Sequence, residues 1–300
     1  MAKACPSLFP LFGALLVSPI AAEDKAPEIV TIEVDCSKTK RQLAANPTGF
    51  CMSFLNDADN DQRKKPFAEV LKSMGTGSLR FPMGTLAENY LFHDIRQGIP
   101  KQGALQLRVI MKKKNLARWP WAVNPDGSYS DSTLDFDEFI TMCRASYTEP
   151  VVMVSSHGHL FSGSEFIEED IIRNAEEWVR YANITCKMGV KYWEIGNEVD
   201  LKKNTSESIR VYQKMATRMK KVDPSIQVGL GTYSSTAYGK QELEKCPELV
   251  DFIVVHHYME WMKTYDQYLK SQQSFMEDSE KMLSMIDKTA PVDRKRARKF

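Results

Sequence analysis

From about residue 45 onward, apolar runs of strand length alternate with stretches whose apolar residues recur every three or four positions. That alternation is the pattern of βα units building a parallel sheet. Gly49 to Leu55 reads as the first strand. A helix over Gln62 to Met74 follows, with Phe67, Val70, Leu71 and Met74 on one face and Gly75 as its stop. Ser78 to Phe81 reads as the second strand, ended by Pro82, and a long turn-rich insertion with Trp119, Pro120 and Trp121 leads to a helix over Asp135 to Ala145. The third strand, Pro150 to Ser155, contains an unbroken Val-Val-Met-Val run, as a strand covered on both faces requires. Its helix, Ser164 to Asn183, puts Ile171, Ile172, Ala175, Trp178, Val179 and Ala182 on one stripe. A fourth strand enters from Val190. Ser206 can cap the next helix, where Ile209, Tyr212, Met215 and Met219 recur at helical spacing until Asp223-Pro224. Ile226 to Leu230 and Val250 to His257 read as strands five and six, followed by a charged amphipathic helix from Thr264 to about Lys288.

Six strands fall short of the eight that close a (β/α)8 barrel. An open sheet would leave edges and an apolar face bare. The pattern is therefore expected to be a TIM (β/α)8 barrel truncated after its sixth βα unit, with Lys299-Phe300 as the entry to strand seven. The expected division is a signal peptide over 1–22, a lead-in over 23–45 and a partial catalytic barrel over 46–300.

Composition narrows the classes. The 300 residues are 43% hydrophobic and 10% aromatic, enough for a sizeable core, and 40 basic against 39 acidic residues leave a net charge of +1. No field is available to attract nucleic acid or an anionic membrane, whereas a neutral polysaccharide is compatible. Met-Ala-Lys, an apolar run from Leu8 to Ile20 and the small residues Ala21-Ala22 have the order of a secretory signal, so the protein is expected to be secreted, extracellular or periplasmic. The run is too short for a bilayer span, and no other segment is long and apolar enough. Six cysteines lack CxxC spacing, which argues against zinc. Cys51, Cys143 and Cys186 read as small buried hydrophobes, and Cys36 with Cys246 is the one pairing to suspect. Asn183-Ile184-Thr185 and Asn204-Thr205-Ser206 are glycosylation sequons, the second in a polar loop.

The chemistry gathers at the strand ends. Residues 192 to 198 read Tyr-Trp-Glu-Ile-Gly-Asn-Glu, so Asn197 and Glu198 end strand four, where barrel enzymes keep their reactive groups. A carboxylic acid partly withdrawn from water suits proton donation, and an adjacent amide suits holding a hydroxyl. Structurally, Glu198 could instead cap a helix or pair with Lys202 or Lys203. The other strand ends offer Arg80, then Ser156, His157 and His159, then His256, His257, Tyr258 and Glu260. Adjacent histidines on a strand point to opposite faces, so at most one of His256 and His257 faces the mouth, and no second cluster completes a metal site.

Tyr-Trp-Glu-Ile-Gly-Asn-Glu-Val-Asp resembles the acid/base motif of retaining glycoside hydrolases of clan A, most closely the family 51 α-L-arabinofuranosidases. Leu79-Arg80-Phe81-Pro82-Met83-Gly84 with Glu88-Asn89-Tyr90, and Val255-His256-His257-Tyr258, resemble further stretches of that family. The likeness runs from about Asn46 to the end of the chain. It implies Glu198 as proton donor, His256 and Tyr258 as residues lining the sugar pocket, and Arg80 as a site residue whose role is to hold carboxylates in place, while Asn197 and His157 are expected to bind substrate from their own positions at the strand ends. It implies no cofactor and no metal, a poly- or oligosaccharide partner, and a nucleophilic Glu ending strand seven, beyond residue 300. This stretch alone is thus expected to be inactive. The chain departs from the family at three places: Ser53 stands where a Glu contacts arabinose, Ser155-Ser156-His157-Gly158-His159 replaces an Asn-containing glycine-rich turn, and Met83 replaces a Gly. They leave open a β-glycosidase, a glucuronidase or an endo-acting enzyme. The alternative from another class is a catalytically inactive barrel that binds carbohydrate or protein.

Overall fold

The computed structural model describes residues 47–55, 65–93, 95, 108–109, 122, 130, 133–161, 164–199, 205–232, 241, 244–256 and 262–289, with five positions between 31 and 38. The chain divides into two compact units, Met1–Gln42 and Leu43–Phe300. In the first, Asp35 accepts hydrogen bonds from the Ser37 amide and hydroxyl and pairs with Lys38.

The second unit is built on one six-stranded sheet, all of whose neighbouring strands run parallel. Its strands are β1 (Gly49–Cys51), β2 (Ser78–Phe81), β5 (Glu149–Val154), β6 (Tyr192–Ile195), β7 (Gln227–Thr232) and β8 (Phe252–Val255), in that spatial order. Strands β3 (Tyr90–Leu91) and β4 (Arg108–Val109) form a separate antiparallel ribbon inside the long insertion. The helices are α1 (Phe67–Ser73), α2 (Phe136–Ser146), α3 (Glu168–Val179), α4 (Thr205–Val222) and α5 (Tyr265–Thr289). Each lies between strands of the sheet in sequence or follows the last, so the architecture is an open half-barrel of βα units.

Local chemistry sets several boundaries differently from the sequence expectation. β1 ends at Cys51 rather than Leu55, because Ser53 Oγ accepts the Leu55 amide at 3.1 Å and turns the chain. Pro66 immediately precedes α1, which therefore starts at Phe67, and residues 62–64 lie outside the described set. Asp135 caps α2 reciprocally with Glu138, at 2.8 Å in both directions. α3 begins four residues later than the pattern suggested, where Asp170 accepts the Ile167 amide at 2.9 Å, and ends in a π-helical turn over Arg180–Thr185. Ser206 lies inside α4 rather than capping it, β7 runs on to Thr232, and β8 is confined to Phe252–Val255.

The core lies between the outer face of the sheet and α2, α3 and α4. Every residue of the expected α3 and α4 stripes is buried. Phe81 of β2 stacks on Phe139 of α2 at 4.6 Å, Phe92 stacks on Trp178 of α3 at 5.3 Å, and Trp178 meets Trp193 of β6 edge-on at 6.0 Å. Such pairs add about 0.5–1.5 kcal/mol each beyond the apolar area they bury. The buried Asn174 of α3 ties the insertion down by accepting the Phe92 amide and donating to the His93 carbonyl.

Asn183 fixes the entry to β6. Its amide accepts from Val190 N at 2.8 Å and donates to Val190 O at 2.9 Å and to Asp223 at 2.7 Å. The sequon at Asn183 is thus built into the fold, with its nitrogen already engaged, while Asn204 lies outside the described residues. So do Cys36, and with it the suspected pairing to the buried Cys246, Trp119, Trp121 and the expected signal segment. Cys143 is buried as expected and Cys186 half-buried, but Cys51 is exposed, on the strand at the sheet edge.

Candidate active site

Because the strands run parallel, their carboxyl ends share one rim, and alternation decides what faces inward. In β6, Trp193 and Ile195 point into the core layer, which leaves Glu194 on the opposite, barrel-side face. Arg80 of β2 meets it there: Nε donates to Glu194 Oε2 and Nη2 to Oε1, both at 2.7 Å. Nη2 also lies 2.9 Å from Asn197 Oδ1 and 3.3 Å from Met153 Sδ. Glu194 is fully buried. Burial works against the Arg80 charge, but the hydrogen bonds and charge of Glu194 prevail and hold the guanidinium above its ordinary pKa. Arg80 is thereby engaged by the Glu194 carboxylate and by Asn197.

Past Ile195 the chain leaves regular strand geometry. Gly196 and Glu198 both have positive φ, 73° and 51°. A Cβ on Gly196 would stand 2.4 Å from Ser156 Oγ and from Val199, and one on Gly231 would stand 2.5 Å from Glu194 Oε1. Glycine is what lets β6 turn and β7 approach there. The left-handed turn at Glu198 carries its side chain toward the end of β8, where Oε1 lies 2.8 Å from His256 Nδ1. Both side chains are largely covered, 12% and 15% exposed. Asn197 is held on three sides: its amide N–H donates to Glu88, its Oδ1 accepts from Arg80, and its Nδ2 donates to Thr85 at 3.3 Å.

His157 follows β5 and is buried, with Nδ1 2.6 Å from Ser156 Oγ and 3.6 Å from Glu88. The ring of His159 is half-buried, and burial lowers its pKa despite the neighbouring Glu168, Glu88 and Glu207. Four of the six expected site residues, Arg80, Asn197, Glu198 and His256, thus form one connected group by direct contact or through Asn197, and His157 joins it through Glu88. Tyr258 lies outside the described residues, as do His257 and Glu260.

Two members of the group were not singled out from sequence. Glu194 could have been found from its parity: it is the one charged residue on an apolar strand, at the inward register. Glu88 gives no such signal, since it sits in a short 3-10 turn, Thr85–Asn89, and only the fold shows it buried. Among the described residues, no three His, Cys, Asp or Glu side chains gather as a metal-ligating group, and no helix is long and apolar enough to cross a membrane.

Met83 stands at φ 129°, a region that L side chains rarely adopt, in the turn that carries Thr85 and Glu88. Strain there costs about 1–3 kcal/mol, partly offset on replacement by the greater freedom glycine has when unfolded. Met83→Gly is expected to raise the melting temperature by about 2–4 °C, a net gain near 1 kcal/mol. Calorimetry checks it; a fall would mean that Met83 packing outweighs the strain.

No family model matches the chain. It is 25% identical over 218 residues to an intracellular exo-α-(1→5)-L-arabinofuranosidase of Acetivibrio thermocellus, covering 67% of this chain and 40% of that protein. It is 21% identical over 215 residues to an exo-α-(1→6)-L-arabinofuranosidase of Bifidobacterium longum, covering 67% and 39%. The chain therefore spans about two fifths of the length of these curated relatives. The GH51 arabinofuranosidase of Xanthomonas axonopodis pv. citri superposes with a TM-score of 0.59 at 15% identity, over 86% of this chain and 57% of that one. The expected resemblance is borne out: the chain is similar to arabinofuranosidases, a GH51 enzyme among them, and its sheet has the fold of glycoside hydrolase barrels.

Proposed function

We propose that the protein is a glycoside hydrolase that cleaves a poly- or oligosaccharide by double displacement with retention, using Glu198 as general acid and base. The observation that carries the reading is the position of Asn197 and Glu198 at the carboxyl end of β6, with the Glu198 carboxylate turned toward His256 across the rim. A retaining enzyme needs a second carboxylate about 5 Å away. The resemblance puts it at the end of a seventh strand, beyond residue 300, in a closed eight-stranded barrel.

In the first step that carboxylate attacks the anomeric carbon while Glu198 gives its proton to the departing glycosidic oxygen, forming a glycosyl ester and a free alcohol. In the second, ionised Glu198 takes a proton from water. The water oxygen displaces the ester, releasing the sugar and the nucleophile. His256 contacts Glu198 directly and is well set to keep its carboxyl aimed at the leaving oxygen. Asn197 has one amide hydrogen beyond its contact to Thr85 with which to meet a sugar hydroxyl.

The relatives' names speak of arabinofuranosides. For this chain the sugar is a narrower question, because Ser53 Oγ is turned to its own backbone at the position where the resemblance expects a carboxylate. The apolar run Leu8 to Ile20 supports export, and hence an extracellular polysaccharide as substrate. The test is the configuration of the first product formed by the full-length protein, followed by proton NMR on aryl glycosides. Retention is expected, and inversion would rule out the double displacement.

A further inference from the structure

We infer that Glu88 is a positioning residue for the proton donor, an inference that rests on the reading of Glu198 as general acid and base. The Glu88 carboxylate is buried, 1% exposed, and gathers five donors. Oε2 accepts the backbone amides of Ser156 at 2.9 Å and His157 at 3.0 Å, together with Ser155 Oγ at 3.0 Å. Oε1 accepts the backbone amide of Asn197 at 2.8 Å and lies 3.4 Å from Ser156 Oγ. One side chain from the turn after β2 thus holds the carboxyl ends of β5 and β6 at a common point.

The register shows why it is needed. The last ladder bond of β6 runs from Gly196 N to Val154 O at 2.9 Å, and beyond it Gly196 and Glu198 adopt positive φ. The intervening Asn197 amide cannot continue the ladder, and a non-glycine residue at φ 51° persists only where its surroundings fix it. Glu88 takes over where the ladder ends. A carboxylate has about four acceptor positions, which suits convergent backbone N–H groups as no neutral side chain does. Its burial is tolerated because these donors replace water.

Two readouts on the full-length protein test this. In Glu88→Gln the amide must turn one NH2 toward backbone N–H donors. Hydrogen exchange at Ser156, His157 and Asn197 is expected to accelerate about 10- to 100-fold. Exchange at Val152 and Val228, in the strand interiors, should be unchanged. Against aryl glycosides, kcat is expected to fall about 10- to 100-fold with KM within about twofold, and poor leaving groups should suffer most. Glu88→Asp keeps the charge but shortens the reach, and should recover part of both effects. Unaltered exchange at Asn197 would overturn the inference, as would a uniform loss of stability with wild-type kcat and leaving-group dependence. If Glu198→Gln proves catalytically neutral while Asn197 exchange still accelerates in Glu88→Gln, it is the proton-donor reading that fails, and the clamp on the β6 end remains.

Discussion

Replacing Glu198 with Gln in the full-length protein is expected to lower kcat/KM on substrates with poor leaving groups by about 10²- to 10⁴-fold, the range a positioned general acid supplies. The substitution keeps the side chain's length and a hydrogen-bonding partner for His256 at 2.8 Å, so the fold is expected to hold and the loss to be chemical. Activated aryl glycosides, whose leaving groups need little protonation, should lose far less in kcat/KM. Their kcat should still drop, because the same side chain activates water in the second step. KM should then fall with it as the glycosyl ester accumulates. Steady-state kinetics over several leaving groups separates the two roles.

The second large effect is on stability. Arg80→Met removes the guanidinium that makes two 2.7 Å bonds to the fully buried Glu194 and strands that carboxylate on the inner face of the sheet. Breaking a buried pair from one side costs about 3–5 kcal/mol, far more than the pair is worth against an apolar replacement of both partners. For a unit of this size, a loss of that order lowers the melting temperature by roughly 6–20 °C. Adding Glu194→Met should recover much of it, since no charge is then left without its partner. Activity should not return in the double variant, because Asn197 Oδ1 has also lost its 2.9 Å donor. Calorimetry of the two variants side by side measures both statements. A single variant as stable as the parent would mean that water reaches Glu194.

Much of this arrangement is legible in the chain because period and parity are local properties. The Val-Val-Met-Val run, the Ile171-to-Ala182 stripe and the Ile209-to-Met219 stripe each name a partner layer, and all came out buried as read, apart from a half-covered Val151. Arg80, Asn197, Glu198 and His256 were found by the same logic, since the last residues of parallel strands must share a rim. What sequence could not give was set by contacts between distant segments. The ribbon of β3 and β4 pairs Tyr90 with Val109 and Leu91 with Arg108 across an intervening stretch of the insertion, and its two-residue strands are too short to carry an alternating pattern. Glu88 reads as an ordinary polar turn residue until β5 and β6 are laid beside it. The exposure of Cys51 follows from the place of β1 at the sheet edge, which no property of Gly49–Cys51 announces.

The central claim, that Glu198 hands a proton to the departing oxygen, is tested most directly by plotting log kcat/KM against leaving-group pKa for the full-length parent and Glu198→Gln. A shallow line for the parent and a steep one for the variant, converging at the most acidic leaving groups, is the predicted result. Two parallel lines would contradict it, because the carboxyl lost at Glu198 would then have played no part in protonating the group that leaves.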